Sequence, residues 1–187
     1  MPKKKVISIL EFFRTGVLGD IACGCTTSEV FQQFGKPDYI YHSGAPSSLT
    51  YGSLEIWFHP EQEIVYRITF KSFKLHFWKK VSRKSKTLKR RTHEYRQSKP
   101  IIPRVKFDPW VVRGGIDVFT LSRCLKMANV ECWHSQWWGN KNSAPDQLNL
   151  ASGVRIFFDP PDSPTPGIGF IEIIDNDLHS QLFDNWY

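Results

Sequence analysis

The chain has 187 residues, of which 41% are hydrophobic and 14% aromatic, and a formal net charge of +7. That length suits one ordinary domain or two small units sharing a core, and the apolar load excludes global disorder. Its uncharged apolar runs fall far short of the roughly 20 residues of a membrane-spanning helix, so a cytoplasmic protein with no membrane partner is the expectation.

The basic start Met1-Pro-Lys-Lys-Lys5 is followed by Val6-Ile-Ser-Ile-Leu10, which Glu11 and Arg14 interrupt too early for a signal-peptide apolar region. An N-terminal helix is expected to open a first unit over residues 1–78. Further on, Thr26-Thr27-Ser28-Glu29 offers hydroxyl N-caps and a first-turn carboxylate, and Val30, Phe31 and Phe34 supply an apolar helical face. Gly35 is expected to end this helix in a left-handed cap, with Pro37 barring its continuation. Tyr39 to Thr50 reads as a long loop. Tyr51-Gly-Ser-Leu-Glu-Ile-Trp-Phe-His59 and Ile64-Val-Tyr-Arg-Ile-Thr-Phe70 then read as two strands joined through Pro60-Glu-Gln62.

The middle of the chain concentrates the charge. Residues 71–106 hold fourteen Lys and Arg against one acid, Glu94, while the rest carries eleven basic and seventeen acidic side chains. Phe73, Leu75 and Phe77 prolong the strand alternation, but residues 79–105 show little apolar periodicity and read as a basic linker or arm. Within it Lys84, Lys86, Lys89, Arg90 and Arg91 are candidate polyanion-binding residues, although no base-reading module surrounds them.

The second unit, residues 106–187, repeats the pattern of the first. Asp117 is a helix cap, Leu121 and Leu125 keep the i, i+4 spacing, and Asn129 stands where Gly35 stood. Val130-Glu-Cys-Trp133 reads as a short strand and Gln136 to Gln147 as a loop. The pair Ala151-Ser-Gly-Val-Arg-Ile-Phe-Phe-Asp159 and Ile168-Gly-Phe-Ile-Glu-Ile-Ile174 reads as a second hairpin. Aligned without gaps, Leu54, Ile56, Trp57 and Phe58 meet Val154, Ile156, Phe157 and Phe158. The expected fold is therefore α+β: two helix-plus-antiparallel-hairpin repeats packed as layers and joined by the basic linker.

No catalytic signature emerges. Phosphate loops, zinc-protease helices and nucleophile elbows are missing, and the six histidines show no i, i+4 pair. Cys132 and His134 lie two apart on an expected strand and point to one side, a nucleophile pair in outline, but a satisfied half-buried histidine is the commoner arrangement. The cysteines Cys23, Cys25, Cys124 and Cys132 lack paired C-x-x-C spacing and read as reduced packing thiols, so neither metal nor cofactor is expected. Adjacent Trp137 and Trp138 cannot both face the core of a regular strand. With Trp133 they are the candidate protein-binding residues, since Trp is enriched in interface hot spots.

At Ile21-Ala-Cys-Gly-Cys-Thr-Thr-Ser-Glu-Val30 with Phe34-Gly-Lys-Pro37, the sequence resembles the outer-membrane assembly lipoproteins of the SmpA/OmlA type and the tandem-repeat beta-lactamase inhibitor protein. It is also similar to a class of uncharacterised bacterial proteins. The shared motifs are Phe12-Phe-Arg-Thr-Gly-Val-Leu-Gly19, Tyr51 to Glu55 and Ser152 to Phe158, and some members look like immunity proteins of toxin systems. The resemblance spans residues 9–73 and 110–175. It implies a helical layer on an antiparallel sheet and a binding role, and it carries no chemistry. A non-catalytic protein-binding module of immunity or inhibitor type, with a protein such as a toxin as partner, is the expected function. Nucleic-acid or polyanion binding through residues 71–106 is the alternative.

Overall fold

Leu54, Ile56 and Phe58 alternate with Glu55 and Trp57, and this period of two gives a strand with one buried side. The computed structural model describes residues 5–42, 46–71, 105–108, 110–112, 116–136, 146–159 and 167–183. In chain order they form β1 (Lys5–Ser8), α1 (Ile9–Thr15), α2 (Thr27–Phe34), β2 (Tyr39–His42), β3 (Ser47–Tyr51), β4 (Leu54–Phe58) and β5 (Val65–Lys71). There follow β6 (Val105–Asp108), α3 (Val118–Met127), β7 (Cys132–Ser135), β8 (Gln147–Leu150), β9 (Arg155–Phe158), β10 (Ile168–Ile174) and α4 (Asn176–Phe183). The architecture is mixed α/β, with a large antiparallel sheet. None of its described helices is long and apolar enough to cross a membrane.

Among the described residues the sheet has eight strands, in the order β2-β3-β4-β5-β10-β9-β8-β7. Its two meanders meet where β10 pairs antiparallel with β5, Ile171 opposite Phe70 and Ile173 opposite Ile68. A separate parallel ribbon joins β1 to β6, with Lys5 opposite Val105 and Ser8 opposite Asp108.

Helix starts follow the expected chemistry. Thr26 caps α2 in a reciprocal capping box with Glu29, and Asp117 caps α3 by accepting from the Thr120 N–H. Gly35 does end α2, but with φ 84° and ψ −156°, outside the left-handed helical basin and in a region reserved for glycine. A left-handed cap does follow α1, at Gly16, with φ 73° and ψ 3°. There a Cβ would stand 2.9 Å from the Ser152 carbonyl oxygen, so close approach also demands glycine.

One core lies between the sheet and the helices. Val30 and Phe34 of α2, Leu121 and Leu125 of α3, and Ile9, Phe12 and Phe13 of α1 join Leu49, Leu54, Ile56, Ile68, Leu148 and Ile156 in it. Phe12 meets Phe70 edge-on at 5.9 Å and Phe107 meets Phe70 at 5.5 Å, which places α1 and β6 over the seam of the sheet. Each buried aliphatic or aromatic side chain of this kind stabilises by roughly 1.5–3 kcal/mol.

Expectation and structure differ at three further places. The stretch Tyr39 to Thr50 is not a loop, because it holds β2 and most of β3 in register, Tyr39 opposite Thr50. The strand expected at Val130–Trp133 starts two residues later, since Val130 closes the α3 turn by bonding back to the Leu125 carbonyl. The C-terminal α4 has no counterpart among the expected elements, and its Leu182 and Phe183 pack with Tyr66 in a second small cluster. The basic segment 79–104 lies outside the described residues, and Val105 belongs to β6.

Candidate functional site

The strand alternation that buries one side of the sheet projects a second set of side chains from the other. Register pairs trace a continuous row of them across all eight strands. The row runs Trp133–Asn149–Arg155–Glu172, crosses the seam, and continues Thr69–Glu55–Thr50–Tyr39. A neighbouring row holds Ile174, Arg67, Trp57, Ser48 and Tyr41.

Glu172 is the centre of this face. Its side chain is only 6% exposed and takes a guanidinium on each oxygen: Arg67 Nη2 at 2.6 Å on Oε2 and Arg155 Nη2 at 2.8 Å on Oε1. One arginine comes from each half of the sheet. Arg67 Nε also donates to Thr69 Oγ1 at 3.1 Å, which orients its fork. A buried carboxylate with two charged donors is a compensated charge, and removing either kind of partner leaves an expensive remainder. Beside it Lys71 pairs with Glu55 at 2.6 Å, and both Arg67 and Lys71 lie within 6.0 Å of the Trp57 ring centroid. In the other half Arg155 stands 5.9 Å from the Phe157 ring, which stacks on Phe170 at 4.1 Å. Cation–π geometry is thus present on both sides of the seam.

α4 packs against one end of this face. Tyr66, Leu182 and Phe183 form its contact, with Trp57 and Ile174 at the border. His179 and Phe183 both meet the Tyr66 ring edge-on, at 5.0 and 5.3 Å. Burial raises the Tyr66 phenol to about 12, so it stays protonated at neutral pH. Near Asp175, just before this helix, Cys23 Sγ donates to the Tyr66 carbonyl at 3.2 Å, and burial pushes its thiol to about 11. A neutral, shielded thiol of this kind is a poor nucleophile.

Of the residues singled out from sequence, Trp133 sits at the edge strand end of the row and is 51% exposed. Trp137 and Trp138 lie outside the described residues, as do Lys84, Lys86, Lys89, Arg90 and Arg91. Cys132 and His134 engage different α3 side chains: Cys132 lies 3.6 Å from Ser122 Oγ, and the His134 ring is 5.6 Å from Phe119. Among the described residues no group of three or more His, Cys, Asp and Glu is arranged to hold a metal ion. The Arg67–Glu172–Arg155 cluster was missed. Its only sequence signal is a charge at the outward position of an otherwise apolar strand, which does not name the partner.

The chain matches no described protein family, no curated protein and no solved structure.

Proposed function

We propose that this chain is a non-catalytic protein-binding module, of immunity or inhibitor type, built from two copies of one helix-plus-sheet unit joined by the basic segment. The observation that carries the reading is the row of side chains that crosses both halves of the sheet, polar at its clamped centre and aromatic at both ends. A continuous strand face with Trp133 at 51% and Tyr39 at 61% exposure suits protein recognition, because exposed Trp and Tyr are the side chains that most often anchor an interface. The two-copy reading is supported by like details. Gly52 at φ 62° and Gly153 at φ 85° precede β4 and β9, and each half supplies one arginine to Glu172.

The test is affinity capture with the full chain from its native cells, repeated with Trp133→Ala and Arg155→Glu. A stoichiometric protein partner lost by roughly 30-fold or more with Trp133→Ala supports the reading. A toxin-domain gene beside this one would define the partner class. Recovery of nucleic acid alone, with steep salt dependence removed by neutralising Lys84, Lys86, Lys89, Arg90 and Arg91, selects polyanion binding instead. Turnover of a small molecule that Cys132→Ser abolishes overturns the non-enzymatic reading.

A further inference from the structure

β2 ends the sheet, and beyond it no described strand pairs. Its residues and the one before it, Asp38-Tyr39-Ile40-Tyr41-His42, are all exposed, with Tyr39 at 61%, Ile40 at 39% and Tyr41 at 43%. Protein edges are normally blunted by lysine, proline, a bulge or a covering element. Among the described residues the only such device at β2 is its short length. A free edge offers a row of backbone donors and acceptors that another extended strand satisfies.

Laid antiparallel on themselves, the five residues are self-complementary: acid meets imidazole, tyrosine meets tyrosine and isoleucine meets isoleucine. We propose that β2 is a self-association edge, taking β2 of a second copy antiparallel about a two-fold axis at Ile40. An axis normal to the sheet keeps the same face up in both copies, so paired residues must share a face. Centring on Ile40 meets that condition. It sets Ile40 opposite its own counterpart, Tyr39 opposite Tyr41 of the second copy, and Asp38 opposite His42 of the second copy. Tyr39 and Tyr41 belong to the rows on the outward side. Ile40 and His42 lie on the core side, where the His42 ring meets Phe58 edge-on at 6.2 Å. Every cross-strand pair is then aromatic with aromatic, aliphatic with aliphatic, or carboxylate with imidazole, and no like charges meet.

This register forms roughly four to six backbone hydrogen bonds. The contact is smaller than a standard stable interface, so the dimer is weak, with a Kd of roughly 10–100 µM. The other edge does not offer an equivalent: Cys132-Trp133-His134-Ser135 has no such self-complementarity, and pairing it with β2 would give an open chain of copies.

Sedimentation velocity of the full chain from roughly 1 to 300 µM tests this. The wild type should pass from monomer to dimer. Ile40→Lys, which sets two ammonium groups opposite each other, and His42→Asp, which sets carboxylates opposite Asp38, should stay monomeric with unchanged thermal midpoints. Met127→Lys, an equally severe change at an exposed apolar residue of α3, should dimerise as the wild type does. A wild type that is monomeric at the highest concentration overturns the proposal. So does a dimer that both β2 variants leave intact, or an edge occupied by a strand of another protein instead of a second copy.

Discussion

The halves β2–β5 and β7–β10 share a strand plan but join their helices to the sheet differently. In the first half the joints are polar. Tyr51 Oη donates to the Gly35 carbonyl at 2.9 Å, and Thr27 Oγ1 donates to Glu63 Oε2 at 3.1 Å. In the second half Leu150 stands at the end of β8 where Tyr51 ends β3, and α3 is held mainly by Val118, Leu121 and Leu125, with one weak polar contact from Ser122 Oγ to Cys132 Sγ at 3.6 Å. Its terminus is closed by Asn129 at φ 55° and by Arg14 Nη2 of α1, 2.9 Å from the Ala128 carbonyl. The lesson is that the strand scaffold tolerates either kind of joint, because the apolar area beneath each helix supplies most of its stability.

If the continuous core governs, equivalent deletions in the two halves should cost alike. Ile56 and Ile156 are both fully buried, and Ile56→Ala or Ile156→Ala should each lose about 2–5 kcal/mol. Chemical denaturation followed by Trp fluorescence and far-UV circular dichroism should show one transition in both variants. Two separated transitions would break the comparison by showing that the halves unfold independently.

The seam comes next. Glu172→Gln keeps the shape but removes the charge between Arg67 and Arg155, whose side chains are 34% and 33% exposed. Breaking a fully buried pair costs about 3–5 kcal/mol, and the partial exposure of both arginines reduces this to about 2 kcal/mol. An undiminished midpoint in urea would mean that the cluster orients the face without stabilising it.

The joints themselves are smaller. Tyr51→Phe deletes one hydrogen bond under a retained ring and should cost about 1 kcal/mol, without a counterpart in the second half. Asp117→Ala removes the α3 cap, again at about 1 kcal/mol. Exchange of the α2 and α3 amides would sharpen the contrast: Tyr51→Phe should loosen only α2 and Asp117→Ala only α3.

The smallest effect is on the acid limb. The backbone N–H of Thr26 and then its hydroxyl hold Glu29 below its usual range, and the hydroxyl and then the N–H of Thr120 do the same for Asp117. A carboxylate depressed in the folded state contributes stability that is present above its unfolded value and lost as pH falls through the folded one. Both caps should therefore weaken together below about pH 4, and Asp117→Asn should flatten only the α3 share of that loss.

The sequence alone determined the local devices. Alternation in Leu54, Ile56 and Phe58 and in Val154, Ile156 and Phe158 marked β4 and β9. Thr26 with Glu29 and Asp117 marked helix starts, and β10 fell at its expected bounds, Ile168–Ile174. These depend on side-chain period and on backbone groups a few residues away, so neighbouring residues suffice to specify them. The tertiary structure alone decided what pairs with what. It made β2 a strand although its four residues are exposed on both sides and so show no alternation of burial. It also laid β1 beside β6 and β5 beside β10 across about a hundred residues of chain. Only there does Glu172 acquire both arginines. The cluster holds because Glu172, shielded from water, is attracted at close range by two guanidiniums, a condition that no stretch of sequence contains and only the assembled sheet creates.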